Sequence, residues 1–264
     1  MKFHYIATLS YDGTNYQGWQ IQDGELKTIQ GILNNVLTEI CKGNNNLKTI
    51  GASRTDKGVH ALDQKVKISI PLYIDPEGLR RGLNALLPKD IRALNIIEST
   101  EDFHPLRKVY QKEYIYLFSN RAHFGNHTPF QLKKIANFPY KFNIDAMRSV
   151  CDLYVGEYDF KNFYCLGSGV KTTRRTIISC SLTEESPSGV LKELLPSYYI
   201  FKIRGNGFLK QMVRIMVGTM WNVGRGKISL DTVRDALECK TTGKLSPVAP
   251  ASGLYLSRVD PVSN

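Results

Sequence analysis

Two kinds of hydrophobic spacing take turns along this chain, and together they limit it to a mixed α/β architecture. Residues 64–70 alternate, with Val66, Ile68 and Ile70 apolar and Lys65, Lys67 and Ser69 polar. A period of two predicts a half-buried strand with a basic outer face. After Thr28 the period changes. Ile29, Ile32, Leu33, Val36, Leu37 and Ile40 share one face of a helix that starts at a Thr28 cap and ends near Lys42. Residues 3–10, 91–98 and 109–118 read as further strands. Asp75-Pro76 opens a second helix, and Pro88 closes it.

The second half repeats the style without repeating the sequence. Ile144, Met147, Val150, Cys151 and Tyr154 line one side of a helix over 143–155. Strands follow at 176–183 and 197–204, then a long apolar helix over 207–223 that carries Lys210 and Arg214. Ser229 caps another helix, and 254–259 is a last strand. The expected fold class is α+β: two similar mixed α/β halves with merged antiparallel sheets flanked by helices, and an active-site cleft between them. The N-terminal half is expected over 1–106 and the C-terminal half over 107–264, with a loop insertion at 120–142.

A chain of 264 residues that is 42% hydrophobic is long enough for two real cores. Its 35 Lys and Arg oppose 24 Asp and Glu, a net charge of +11, which favours an anionic partner. The basic residues cluster. Lys202 to Lys227 holds six and no acid, and Phe160 to Leu182 holds four (Lys161, Lys171, Arg174, Arg175) and no acid. Solvated faces usually mix signs, so these segments are expected to line an anion-binding surface. No apolar run reaches the roughly 18 residues of a membrane span, and the first residues read as a strand rather than a signal peptide. The five cysteines are scattered without a CxxC pair, which suggests neither a disulfide framework nor a zinc site and makes a reducing cytoplasm the expected home.

One stretch does not fit a core. Residues 51-GASRTDKGVHAL-62 crowd Arg54, Thr55, Asp56, Lys57 and His60 between glycines. Such a run is a solvated turn, or a loop that holds an acid ionised for chemistry. Asp56 and His60 also have the spacing of a metal pair, with no third ligand nearby.

Its company is more specific. Upstream stand 11-YDGTNYQGWQIQ-22 and Thr28-Ile29-Gln30; downstream come 84-NALLPKDIR-92, Phe103-His104, 112-KEYIY-116, 173-TRRTI-177, 212-MVRIMVG-218 and 253-GLYL-256. This ordered set, spanning nearly the whole chain, resembles the tRNA pseudouridine synthase A family. The stretch 51–62 is similar to that family's G-x-x-RTDxGVHA signature.

The resemblance implies an RNA-modifying isomerase that needs no metal or organic cofactor. It implies a homodimer acting on uridines 38 to 40 of the tRNA anticodon stem–loop. Asp56 is then the nucleophile. Arg214, on a mostly apolar helix where an arginine needs a partner, is the cation that keeps Asp56 charged. Tyr114 stacks on the everted uracil, Arg54 props the space the base leaves, and Leu254 packs beneath it. Lys210, Lys171, Arg174 and Arg175 are phosphate-binding candidates. Two departures stand out: Leu106 precedes Arg107 where the family has Arg directly after its Phe-His triplet, and Lys210-Gln211 replaces an aromatic–His pair. The alternatives are the same reaction on another RNA such as ribosomal RNA, a non-catalytic RNA-binding module, and a metal-dependent hydrolase using Asp56, His60 and Asp63.

Overall fold

Capping explains where the helices begin. Thr28 accepts the Gly31 amide and starts α1 (Ile29–Ile40); Asp75 accepts the Gly78 amide and, with Pro76 in the first turn, starts α2 (Pro76–Leu86). Asn143 caps α3 (Ile144–Tyr154), and Ser229 caps a short helix at Leu230–Leu237 through the Thr232 amide. The structure is a computed structural model that describes residues 2–22, 24, 27–105, 109–120, 133–167, 170–189 and 197–261. Leu106 and Arg107 lie outside the described residues, as does most of the expected 120–142 insertion.

The chain divides into two units, Met1–Tyr110 with Tyr255–Asn264, and Gln111–Leu254. The sequence reading divides it at residue 106 and keeps the last strand with the second half. Each unit is mixed α/β, with a mostly antiparallel sheet and helices packed on it.

In the first unit β1 (Phe3–Tyr11) lies between β3 (His60–Ile70) and β4 (Ile91–Ser99), antiparallel to both. The other edge of β3 is shared. β2 (Lys48–Gly51) pairs antiparallel with its far end, Val66 to Ser69, and β10 (Leu254–Pro261) pairs parallel with its start, at His60 and Ala61. Between these two partners the β3 edge is open for a few residues, and the loop from β2 back to β3 carries Asp56 there. Tyr5, Ala7, Leu9 and Tyr11 alternate inward along β1, and Leu33, Leu37, Leu79 and Leu83 bring the apolar stripes of α1 and α2 into the core.

The expected basic outer face of β3 is not there. Lys67 and Ser69 are buried. The segment after β4 folds over that face: Lys67 Nζ donates to the Glu101 carbonyl at 2.5 Å and the Phe103 carbonyl at 2.7 Å, and Ser69 Oγ lies 2.9 Å from His4 Nδ1. A buried ammonium is tolerated when carbonyl oxygens replace its water.

In the second unit β5 (Val109–Asn120) pairs with β9 (Tyr198–Gly205), β9 with β8 (Arg174–Glu185), and β8 with β7 (Gly156–Asp159), all antiparallel. β6 (Ala136–Phe138), inside the expected insertion, lies parallel to β5. An aromatic cluster fills the core, with Phe138 stacked on Trp221 at 4.4 Å and Phe118 edge-on to both. The long apolar helix is shorter than expected. It runs as α4 over Met212–Gly224, because Gln211 adopts a left-handed backbone (φ 60°) that breaks the helix before it. Lys210 therefore sits in the turn that precedes α4, not on it. The Ser229-capped helix at Leu230–Leu237 is α5. No helix among the described residues is long and apolar enough to cross a membrane.

Candidate active site

The Asp56 loop is clamped where the edge of β3 away from β1 has no strand partner. Gln64, fully buried, stands in for the missing strand: its Oε1 accepts the Ser53 amide at 3.1 Å and its Nε2 donates to the Ser53 carbonyl at 2.6 Å. Beside it the Ala52 amide donates to the Lys65 carbonyl at 2.8 Å. The next residues are held from the 11–20 turn. The Tyr11 hydroxyl lies 2.8 Å from Thr55 Oγ1, the Trp19 amide donates to the Thr55 carbonyl at 3.0 Å, and the Gly58 amide donates to the Tyr16 carbonyl at 3.2 Å. Two glycines allow this closeness. A Cβ on Gly51 would come within 2.6 Å of the Trp19 ring, and one on Gly18 (φ 102°) within 2.6 Å of the Thr55 carbonyl.

Within this frame burial alternates in a telling way. Ser53 and Thr55 are buried, Arg54 is exposed, and Asp56 is half-buried, closed behind by the Val59 amide donating to its carbonyl. The loop thus turns its anchoring side chains inward and its charged ones outward. His60 ends it as a core residue: its Nδ1 accepts the Gly13 amide at 3.2 Å and lies 3.0 Å from Asp12 Oδ1, and its ring stacks on Tyr255 at 4.6 Å. Burial and the Asp90 carboxylate push the Tyr16 phenol well above its ordinary pKa, so it stays a neutral donor to Asp90 at 2.6 Å. Asp63 is occupied structurally, by Lys65 and by the Val259 amide. Among the described residues no three His, Cys, Asp or Glu converge in a metal-holding group.

In the second unit Tyr114 is buried on β5, with its ring edge-on to Phe208 at 5.1 Å. Two residues on, Tyr116 is wholly buried and donates from its hydroxyl to the Pro250 carbonyl at 2.8 Å. Arg214, half-buried on α4, donates from Nε to the Ala249 carbonyl at 2.7 Å, and the Ala249 amide donates back to the Arg214 carbonyl at 3.2 Å. Tyr116 and Arg214 together tie down residues 249–250, just ahead of buried Leu254. Burial raises the Tyr116 phenol, and the nearby Arg214 charge only partly opposes it. This brings Arg214, Tyr116 and the approach to Leu254 into one frame.

The four phosphate-binding candidates differ. Lys210 and Lys171 are exposed. Arg174 meets Glu157 across the β7–β8 ladder at 3.1 Å, so an acid-free stretch of sequence acquires an acid in space. Arg175 donates to the carbonyls of Thr172 (2.9 Å) and Arg174 (2.6 Å). Sequence reasoning missed Gln64, Tyr11 and Trp19 as supports of the loop. The signal was present for Gln64 alone: a polar residue in line with the buried positions of an alternating strand.

The profile of the family described as tRNA pseudouridine synthase matches residues 7–105 and 150–260, so the match takes in the Asp56 loop, Arg214 and Leu254. The chain belongs to the tRNA pseudouridine synthase family. Members are RNA pseudouridine synthases, and this chain is therefore an isomerase. It is 34% identical over 261 residues to the tRNA pseudouridine synthase A of Leuconostoc mesenteroides, covering 97% of this chain and 98% of that protein. It is 36% identical over 259 residues to that of Limosilactobacillus reuteri, covering 98% and 96%. With the protein of the same name from Caldicellulosiruptor bescii it shares 37% over 252 residues, covering 95% and 96%.

Proposed function

We propose that the chain isomerises uridine to pseudouridine in the tRNA anticodon stem–loop, at positions 38 to 40, with Asp56 as nucleophile, no cofactor, and a homodimer as the working unit. The observation that carries this reading is the frame around Asp56. A half-buried carboxylate sits on a loop pinned at Ser53, Thr55 and Gly58 by buried groups. A surface turn needs no such frame, whereas a nucleophile that must meet one carbon of a nucleoside does. Relatives in three bacteria bear the name tRNA pseudouridine synthase A, which supports tRNA as the substrate.

The reaction breaks the uridine N1–C1′ bond, turns the base and forms C5–C1′. The C5 hydrogen leaves as a proton and N1 ends protonated, so atoms and charge balance. Asp56 attacks C1′ or C6, or drives a glycal-forming elimination; each route needs the carboxylate ionised beside sugar and base. Arg214 supplies positive charge that favours the ionised form. Tyr114 stacks on the uracil once it leaves the helix, and exposed Arg54 props the gap. Leu254 packs beneath the base, while Lys210, Lys171, Arg174 and Arg175 meet backbone phosphates.

The test is Asp56→Asn. The variant is expected to fold and bind anticodon stem–loop RNA while forming no pseudouridine, read by chemical mapping of RNA from cells carrying wild-type or variant protein. Product at wild-type level from the variant removes Asp56 as nucleophile. Sites found only in ribosomal RNA remove the tRNA assignment.

A further inference from the structure

Among the described residues Lys112 is a cation without a counter-charge. It lies on β5 two residues before Tyr114, so the two side chains leave the same face of the sheet, about 7 Å apart along the strand. Among the described residues its ammonium makes no hydrogen bond or ion pair. Protein atoms crowd the ammonium although the residue as a whole is half-buried, and the charge acting on it is the guanidinium of Arg175. Burial and that like charge bring its pKa down to about 8. Arg175 is also without an acid among the described residues; its hydrogen bonds go to the carbonyls of Thr172 and Arg174, and burial lowers its pKa too.

The backbone around the pair is shaped for close approach. Gly205 stands directly opposite Lys112 in the ladder, where neighbouring groups leave no room for a side chain. A Cβ there would meet the Thr176 carbonyl at 2.7 Å and Phe208 at 3.4 Å. Gly207 (φ 155°) passes Arg175, whose Nε lies 3.7 Å from where its Cβ would be. The β8–β9 register shifts between Ile177 and Ser179, a bulge that re-aims the start of β8, where Arg175 sits. Phe208, next to Gly207, is the ring packed edge-on to Tyr114.

Two partly desolvated cations close enough for one charge to act on the other, with no carboxylate paired to either among the described residues, are unfavourable for folding, and such arrangements concentrate at functional sites. We propose that Lys112 and Arg175 form one anion site that takes the RNA backbone phosphate adjoining the nucleotide whose base meets Tyr114. The spacing of Lys112 from Tyr114 along the strand is on the scale that separates a nucleotide's phosphate from its base. A phosphate here removes the mutual repulsion, and its charge-assisted hydrogen bonds to ammonium and guanidinium are made only when RNA is bound. The site therefore positions the target nucleotide. It rests on the reading of the chain as an enzyme that acts on an RNA stem–loop.

The experiment measures the affinity of an anticodon stem–loop RNA against salt concentration for wild type, Lys112→Met and Arg175→Gln. Each variant is expected to weaken binding about tenfold and to lower the log–log salt slope by about 1. The double variant is expected to be little worse than either single, because one phosphate serves both. A single uncharged methylphosphonate linkage beside the target uridine should weaken the wild type by the same factor and leave Lys112→Met unaffected. Unchanged slopes, or additive losses at that linkage, overturn the site. Thermal unfolding checks that Lys112→Met is folded, and Lys112→Gln serves the same purpose should it not be. Wild-type protein that binds no stem–loop RNA sinks the RNA reading itself, whereas wild-type binding with an unaltered Lys112→Met slope sinks this site alone.

Discussion

Gln64 and Ser53 complete each other: the buried carboxamide of one accepts the amide and donates to the carbonyl of the other, at 3.1 and 2.6 Å. A side chain thus does what a neighbouring strand would do, at the place where the Asp56 loop leaves the sheet. Gln64→Leu keeps the volume and removes both bonds, leaving two buried backbone groups at Ser53 unsatisfied. We expect a loss of about 2–6 kcal/mol in denaturant unfolding, at about 1–3 kcal/mol for each orphaned group. Turnover should fall as well. A variant as stable as wild type would show that water replaces the carboxamide.

The contact of Gly51 with the Trp19 ring sets a second test. Gly51→Ala pushes a Cβ to within 2.6 Å of the indole, so ring or strand must shift. Overpacking of this kind costs about 1–3 kcal/mol. Since Trp19 also holds Thr55 through its amide, pseudouridine formation should drop more than stability alone explains, measured as single-turnover rate at saturating protein below the unfolding transition.

Arg214 and Ala249 share a reciprocal pair of hydrogen bonds, so replacing the arginine has two consequences. Arg214→Ala should lower turnover on the order of 10²-fold, as loss of a charge acting on the reacting groups does, while RNA affinity changes little. It should also cost about 1 kcal/mol of stability through the lost bond to the Ala249 carbonyl. Normal turnover with weakened binding would mean that Arg214 only meets phosphate.

Lys112 ties stability to pH. Its folded-state pKa of about 8 lies below the 10.5 of an unhindered lysine. Below pH 8 both folded and unfolded chains hold the proton, and the folded state bears the full burden of the buried charge. Between about pH 8 and 10.5 the unfolded chain holds a proton that the folded one has shed, so stability rises with pH. Lys112→Met should therefore melt above wild type at pH 7, with the gap narrowing by pH 10. A gap that stays constant would show that Lys112 titrates normally. Greater stability combined with weaker RNA binding is the signature of a residue kept for function.

Much of the fold was legible because its signals are local. Thr28, Asp75-Pro76 and Ser229 mark helix starts through bonds to amides three residues on. Strands of eight or more residues show their period. β2, β6 and β7, of four, three and four residues, are too short to show one. The early start expected for α4 failed for a different reason: the apolar run continues through Leu209, but one left-handed residue, Gln211, decides where the helix begins.

By itself the sequence determined the alternation of elements, the basic surplus and the order of motifs that marks the family. Each of these depends on residues adjacent or a few positions apart. Only the tertiary structure decided that Gln64 holds Ser53, that Lys67 is buried beneath the segment after β4, that Glu157 neutralises Arg174, and that Lys112 comes under the charge of Arg175 with no acid paired to either among the described residues. Such pairings arise from which strands lie side by side and in what register, and hydrogen-bond reach and burial are properties of distance in space, which spacing along the chain does not encode.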